Sequence, residues 1–380
     1  DAPIAVADAA GGDEDAVLTI DVLANDTDVD VSDDPSNFTL VSAAITGVTG
    51  LSTPTGGSVS VVGNQVQFDP GTAFDELDEG DSAIVTVSYT MQDDSGEPAV
   101  GTLEITVTGG NDGPVAVADF SGGGETDVLT FEVLAYDTDV DLSDNATNFA
   151  LVSATITGVT GLSGPSGGSV SVFGNQVRFD PGSDFDELDE GDTAVVSVSY
   201  TMQDDSGAPA MGTLEITVSG INNDPGAVPD FRTGGENEVL TIDVVANDTD
   251  LDGSDGPANL TLTTVAITSV TGLSTPTGGT VSIEDNELRF DPGTAFDELD
   301  AGDVATVVVN YGVLDDGGGT DIGTATITVA GENDAPIAVA DAAGGDEDAV
   351  LTIDVLANDT DVDVSDDPSN FTLVSAAITG

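Results

Sequence analysis

The sequence predicts an all-β chain of tandem seven-stranded β-sandwich repeats, and three observations predict it. The segment Pro3-Ile4-Ala5-Val6-Ala7-Asp8 returns in related form from Pro114, Pro225 and Pro336, at a fixed interval of 111 residues. Self-similarity at a fixed period is the mark of repeat architecture. Inside each interval, short runs rich in Val, Ile and Thr alternate apolar and polar residues, the period-two pattern of half-buried strands. Gly, Pro, Asn and Asp punctuate those runs, and no stretch carries a convincing helical period.

The first unit accounts for each strand in order. Ile4–Ala7 reads as the first strand and Val17–Leu23 as the second, with Leu18, Ile20 and Val22 on one face. Phe38–Thr46 follows. Ser58–Val62 and Gln65–Phe68 are joined by Gly63-Asn64, a two-residue hairpin signal that becomes Asp285-Asn286 in the third unit. Ala83–Tyr89 and Gly101–Thr108 complete seven strands, the number expected of a sandwich of about 100 residues. Phe68-Asp69-Pro70-Gly71 recurs from Phe179 and Phe290 and reads as the turn closing the fifth strand.

The repeat divides the chain into residues 1–111, 112–222 and 223–333, followed by 334–380, which is identical to 1–47. The second and third units differ from the first, so the longer period is 333 residues. The sequence stops inside a unit, and we expect it to be a window on a longer array. A half-unit cannot bury a core alone. Its missing strands come from a neighbour, or it belongs to a continuous fibre, or it is a loosely held tail.

Composition narrows the chemistry. Of 380 residues, 72 are Asp or Glu, three are Arg, and none is Lys, His, Cys or Trp, for a net charge of −69. No Ser-His-Asp or Cys-His machinery, Schiff-base lysine or Cys/His zinc site is available. Disulfides are impossible, and nothing can neutralise nucleic-acid phosphates or favour an anionic membrane surface. No apolar run approaches the roughly 20 residues of a membrane span. No basic-then-apolar leader is present, but a sequence that opens inside a repeat is silent on localisation.

The acids are not spread evenly. Asp greatly outnumbers Glu, and short carboxylates in loops suit Ca²⁺, a hard cation that takes six to eight oxygens. With strands alternating up and down, Asp13-Glu14-Asp15 and the run from Asp75 to Asp81 fall at the lower pole of the first unit. Asn25-Asp26-Thr27-Asp28-Val29-Asp30 and Asp93-Asp94 fall at the upper pole. The linker carries Asn111-Asp112. Carboxylates therefore gather where one unit meets the next, and they repel unless a divalent cation lies among them. The competing reading of the Asp-x-Asp-x-Asp runs is a solvated loop of Asx-turns. An EF-hand does not fit, because Asp248-x-Asp250-x-Asp252-Gly253 has Asn259 at its twelfth position and no flanking helices.

Three motifs carry a family resemblance: the linkers Asn111-Asp112-Gly113-Pro114 and Asn333-Asp334-Ala335-Pro336, the Val-Leu-Ala-Asn-Asp-Thr-Asp-Val-Asp run at 22–30, and Tyr89-Thr-Met-Gln-Asp93-Asp94-Ser-Gly96 leading into the last strand. The layout resembles cadherin-type repeats and the bacterial cadherin-like and VCBS-type tandem repeats of giant secreted, RTX-type adhesins. The resemblance implies an Ig/cadherin-like fold and an extended rod stiffened by Ca²⁺ at each junction. It also implies an extracellular or cell-surface location, as in biofilm adhesins or filaments, and no enzymatic activity. Carried over, the first junction would use Glu14, Asp75, Asp78, Asn111, Asp112, Asp137, Asp139 and Asp141. The second would use Glu125, Asp186, Asp189, Asn222, Asp224, Asp248, Asp250 and Asp252. The third would use Glu236, Asp297, Asp300, Asn333, Asp334, Asp359, Asp361 and Asp363. Asp26, Asp28 and Asp30 form the equivalent upper loop of the first unit. Asn223 replaces the linker aspartate at the second junction, which is expected to bind more weakly, and Tyr136 stands where the first unit has Asn25.

The function expected is reach and stiffness. A sandwich with strands of about seven residues is roughly 40 Å long, so three units span roughly 120 Å. Partners would be the neighbouring repeats of the same chain, with lateral association into fibres a further possibility. The alternative is an adhesion module that grips a glycan, ice or another copy. Its support is thin, since aromatics are 4% of residues and most fit strand cores. A glycosidase pair at Asp75 and Asp78 is disfavoured, as it would recur in every unit.

Overall fold

The computed structural model describes residues 1–164 and 166–379. Among the described residues it is all-β, with 21 strands and no helix. The first repeat pairs β1 (Asp8–Asp13), β7 (Pro98–Thr108), β6 (Ser82–Gln92) and β3 (Thr39–Thr49) in one sheet, in that order. The second sheet holds β2 (Leu18–Ile20), β5 (Gln65–Asp69) and β4 (Ser58–Val62). The same division into four and three strands recurs in β8–β14 (119–219) and in β15–β21 (230–330). The chain divides into two compact units, Asp1–Gly182 with Ala194–Val218, and Ser183–Thr193 with Ser219–Gly380.

The core follows from the alternation. Along β6, Ala83, Val85, Val87, Tyr89 and Met91 are buried, and along β7 Leu103, Ile105 and Val107 lie beside them on the same face of the sheet. Val66 and Phe68 enter from the smaller sheet, and Phe68 meets Phe74 edge-on with ring centres 6.0 Å apart. Val307, Val309, Tyr311, Ile327 and Phe290 rebuild this core in the third repeat.

The hairpin between β4 and β5 shows how two turn chemistries meet one need. Gly63 takes φ +64°, as the first position of a type II′ turn requires. In the third repeat Asp285 and Asn286 both take positive φ, 51° and 67°, the type I′ solution. Asn64 and Asn286 then use their side chains to receive the backbone N–H of Leu40 and Leu262.

One difference from the sequence reading bears on the poles. Ile4–Ala7 is not a strand: only Ile4 makes a bridge, to Thr27. The first strand runs instead through Asp8–Asp13 and pairs in parallel with β7, from Asp8 opposite Leu103 to Asp13 opposite Thr108. The reason is local, since Val6 gives its N–H to Asp26 rather than to a ladder.

Tyr89, 1% exposed, ties this region to the core. Its hydroxyl lies 2.9 Å from Asp8 Oδ2 and 3.1 Å from the Val22 carbonyl. Tyr200 repeats this with Asp119 Oδ2 and the Val133 carbonyl, while Tyr311 donates to the linker carbonyl of Val228 and lies 3.1 Å from Asp248 Oδ1. Gly101 gives the ring its space: a Cβ there would lie 2.2 Å from Tyr89 Cζ, and Gly212 and Gly323 face Tyr200 and Tyr311 as closely. Gly101→Ala is therefore expected to destabilise the first repeat by about 1–3 kcal/mol, the usual cost of overpacking. Urea denaturation checks this, and an unchanged midpoint would contradict the packing.

Residues 334–379 contain no strand, although they repeat the sequence of the packed first half-unit. Leu40 is 4% exposed, whereas its copy Leu373 is 54% exposed. The partner strands, not the local sequence, bury these side chains.

Candidate functional site

The upper loops of each repeat bring three carboxylates together. In the first repeat they are Asp28, Asp33 and Asp93, in the second Asp139, Asp144 and Asp204, and in the third Asp250, Asp255 and Asp315. In each set one oxygen per residue lies within 4.8 Å of the others. Asp93, Asp204 and Asp315 stand just past the ends of β6, β13 (Thr193–Gln203) and β20 (Val304–Leu314), the strands that carry the buried tyrosines. Asp204 is held by the N–H groups of Gly207 and Ala208 at 2.6 and 2.8 Å, and Asp315 likewise by Gly318 and Gly319.

A second kind of cluster joins two repeats. Asp78, from the loop before β6, meets Asp141 and Asp144 of the second repeat. Asp189 meets Asp255 and Asp316 in the same way. Asp144 and Asp255 therefore serve both the cluster within their repeat and the cluster shared with the preceding one.

These carboxylates are buried with few donors. Asp141 is 0% exposed, Asp204 1%, Asp255 1% and Asp144 4%. Asp139 Oδ2, Asp141 Oδ1, Asp144 Oδ2, Asp93 Oδ2 and Asp33 Oδ1 are buried without a hydrogen-bond partner. Burial, then like charge, pushes Asp144 up to about 6, with Asp205 the largest of the charge contributors. Burial pushes Asp141 up to about 6, against the opposing Asp112 N–H. Beside them Glu14 is 5% exposed and is pushed by burial to about 7, although Gly110 donates to its Oε1 at 2.8 Å. Burial raises Glu236 to about 7 as well, with the charges of Asp334, Asp297 and Asp363 adding to the rise.

The other anticipated ligands are placed as follows. Asn111 Nδ2 reaches Asp204 Oδ2 at 3.1 Å while its Oδ1 is buried without a partner, and Asn222 Nδ2 reaches Asp315 Oδ2 at 3.2 Å. Asp112 gives its backbone N–H to Asp141 Oδ2, and Asp334 gives its own to Asp363 Oδ2. Burial raises the Asp112 carboxyl, and the charge of Asp75 adds to the rise. Asp224 lies beside the loop through Gly319. Asp363 is 1% exposed, and its Oδ1 and Asp361 Oδ2 lack hydrogen-bond partners. Asp300 Oδ2 receives the Ser365 hydroxyl. Asn333 donates to the Asp334 carbonyl, and Glu125 is buried. Asp186 offers its carbonyl to Asn223 Nδ2 at 3.1 Å. Asn223 also donates to both oxygens of Asp252, at 2.7 and 3.3 Å, where Asp141 has only one donor and a free Oδ1.

Two sets lie apart from the triads. Asp26, Asp137, Asp248 and Asp359 each accept a linker N–H at 2.7 Å, from Val6, Val117, Val228 and Val339, and so anchor the entering chain. Asp30 of the first repeat faces the amino group of Asp1. Conversely, Asp33, Asp144 and Asp255 were not among the expected ligands, nor were Asp93, Asp204 and Asp315. The signals were present: a Ser-Asp pair follows every Asp-x-Asp-x-Asp run, and Asp93-Asp94 ends a strand.

The donor set is all oxygen, buried and anionic, which fits a hard divalent cation of the Ca²⁺ type and not a thiolate or imidazole metal. No lysine exists to neutralise it, and Arg178 and Arg289 pair with Asp180 and with Asp291 and Glu284.

Fold and site together define a class: tandem β-sandwich modules with acidic loops at their ends. The chain belongs to the bacterial Ig domain family, which it matches over residues 1–106, 111–217 and 222–328. Modules of this family are typically extracellular and structural or adhesive rather than enzymatic. No curated protein matches the sequence. Among solved structures it is similar to the protocadherin γB7 EC3-6 cis-dimer structure, at 14% identity and TM-score 0.50, covering 90% of this chain and 77% of that one. It is also similar to mouse cadherin-23 EC22-24, at 16% identity and TM-score 0.48, covering 87% and 99%. The protocadherin γB4 extracellular domain aligns at 14% identity and TM-score 0.47 over 89% of this chain, which spans only 51% of that protein. At such identities the likeness concerns the fold alone. Among the described residues no helix is long and apolar enough to cross a membrane.

Proposed function

We propose that this chain is a calcium-stiffened structural segment of an extracellular adhesin or filament of the VCBS type, whose repeats 1–111, 112–222 and 223–333 are spacers rather than catalysts. One observation carries the reading: buried carboxylate oxygens without donors converge in the upper loops of all three repeats, and those of Asp141, Asp144 and Asp255 lie against the bridging aspartates Asp78 and Asp189. Three or more like charges in low-dielectric surroundings repel strongly, and a divalent cation converts that repulsion into cohesion. A cation bridging Asp78 to Asp141 and Asp144 would tie two repeats together. The second junction would bind more weakly, because Asn223 supplies donors to Asp252 that a cation would have to displace.

Small-angle scattering during a calcium titration tests this. The maximum dimension is expected to rise and sharpen as Ca²⁺ is added and to relax with chelator. A scattering curve indifferent to calcium would reject the reading.

A further inference from the structure

Besides the carboxylates, successive repeats touch through a small contact that uses no charge on one side. Ser143 Oγ donates to Asp78 Oδ2 at 2.9 Å, Ser254 Oγ to Asp189 Oδ2 at 3.2 Å, and Ser365 Oγ to Asp300 Oδ2 at 2.9 Å. The residue before each serine adds a backbone bond: Leu142, Gly253 and Val364 give their N–H to the carbonyls of Glu76, Glu187 and Glu298 at 3.3, 2.9 and 3.1 Å. The sequence follows the chemistry. The residue that bonds through its backbone varies freely, while the one that bonds through its side chain is serine in every copy. The accepting loop is itself fixed, since Glu76 and Glu298 receive the backbone and hydroxyl of Ser52 and Ser274.

We propose that Ser143, Ser254 and Ser365 are positioning residues: with the N–H before each, they form a pin that sets the register between successive repeats without any metal and presents the bridging aspartate to the cation. The second half of this statement rests on the calcium reading above; the first does not. Asp78 shows why a pin is useful. Its Oδ1 is taken by the Glu79 N–H at 2.6 Å and its Oδ2 by Ser143, so both oxygens are oriented before a cation arrives. Without the hydroxyl, repulsion from Asp141 and Asp144 would turn this carboxylate towards water.

The absence of native cysteine makes the test direct. Spin labels on Ser60→Cys and Ser171→Cys, both on exposed strand positions, report the distance between the first two repeats in the otherwise intact chain. In calcium-free buffer the native background is expected to give a distance distribution centred on one register, which calcium narrows further. Ser143→Ala should broaden it, and Ser143→Thr, which keeps the hydroxyl, should restore the native width. An alanine variant as narrow as native would overturn the pin. Isothermal titration with CaCl₂ reads the second half. The triple Ser→Ala variant should lose about tenfold in affinity at the bridging sites, the scale of one hydrogen bond to a charged group. Unchanged affinity would overturn the positioning role. If native protein binds no calcium, the calcium reading fails, while the distances still decide the pin. Ser143 is exposed, so the variants should fold, and far-ultraviolet circular dichroism verifies that.

Discussion

Asp144→Asn combined with Asp255→Asn is expected to raise the melting temperature of the calcium-free protein and to abolish most of the increase that the proposed calcium sites should give the native chain. The two signs come from one cause. Asp144 sits 4% exposed in contact range of Asp139, Asp204, Asp78 and Asp141. A pair of unit charges 4 Å apart interacts by about 4 kcal/mol at the effective dielectric of a protein surface region. Partial protonation relieves some of this, and an amide of the same shape removes the share that Asp144 contributes. Its Oδ1 can still accept the Asn148 amide, now at 2.7 Å, so the fold loses little. With calcium present the balance reverses. An ion held only by the folded state at a hundredfold excess over its Kd stabilises by about 2.7 kcal/mol per site. For units of this size that corresponds to about 5–10 °C in melting temperature. Because Asp144 and Asp255 each belong to two clusters, the pair of substitutions weakens four sites. Calorimetry in chelator and in millimolar calcium reads both effects. If the loops were merely solvated Asx-turns, the variant would melt like the native protein in both buffers.

The carboxylates that matter here were only partly readable from sequence, and the reason is geometric. The Asp-x-Asp-x-Asp runs announced themselves by spacing, yet a run does not say which way each side chain turns. Asp26 turns to the Val6 N–H because the Ile4–Thr27 bridge brings the linker alongside it. Asp93 turns the other way and meets Asp28 and Asp33 from a strand end more than 50 residues distant. That convergence is a property of the sandwich topology, and strand assignment alone could not supply it. The strands were more legible, since Val85, Val87 and Tyr89 declare their buried face by alternation. The first strand was not: its sequence Asp-Ala-Ala-Gly-Gly-Asp has no apolar period, and its place is set by parallel pairing to β7. The short Ile4–Ala7 run, which has the better β composition, makes a single bridge because the Val6 N–H is claimed by Asp26.

The same burial predicts that pH will act in opposite directions with and without calcium. Without it, Glu14 and Glu236 are pushed up to about 7 and Asp141, Asp144 and Asp255 to about 6, by burial first and by neighbouring charge. In the unfolded chain these groups titrate near 4. Between the two values the folded state holds more protons than the unfolded one, so folding takes up protons and stability falls as pH rises. Their contribution is fully present below about pH 4 and is lost as pH climbs through about 6 to 7. The calcium-free protein is therefore expected to melt higher at pH 5.5 than at pH 8. Calcium bound at the proposed sites would compete with those protons, so its affinity, and the stability it confers, should increase over the same range. The two melting curves against pH should converge at the acid end and separate as pH rises. The overall charge of −69 also favours acid, but ordinary carboxylates have finished titrating by about pH 5.5. The variant Glu14→Gln with Asp144→Asn and Asp255→Asn isolates the buried groups: it should flatten the calcium-free profile between pH 5.5 and 8. A native profile that rises with pH in the absence of calcium, or a variant profile as steep as the native one, would mean that these carboxylates are ionised and solvated, and the clusters would lose their claim to a cation.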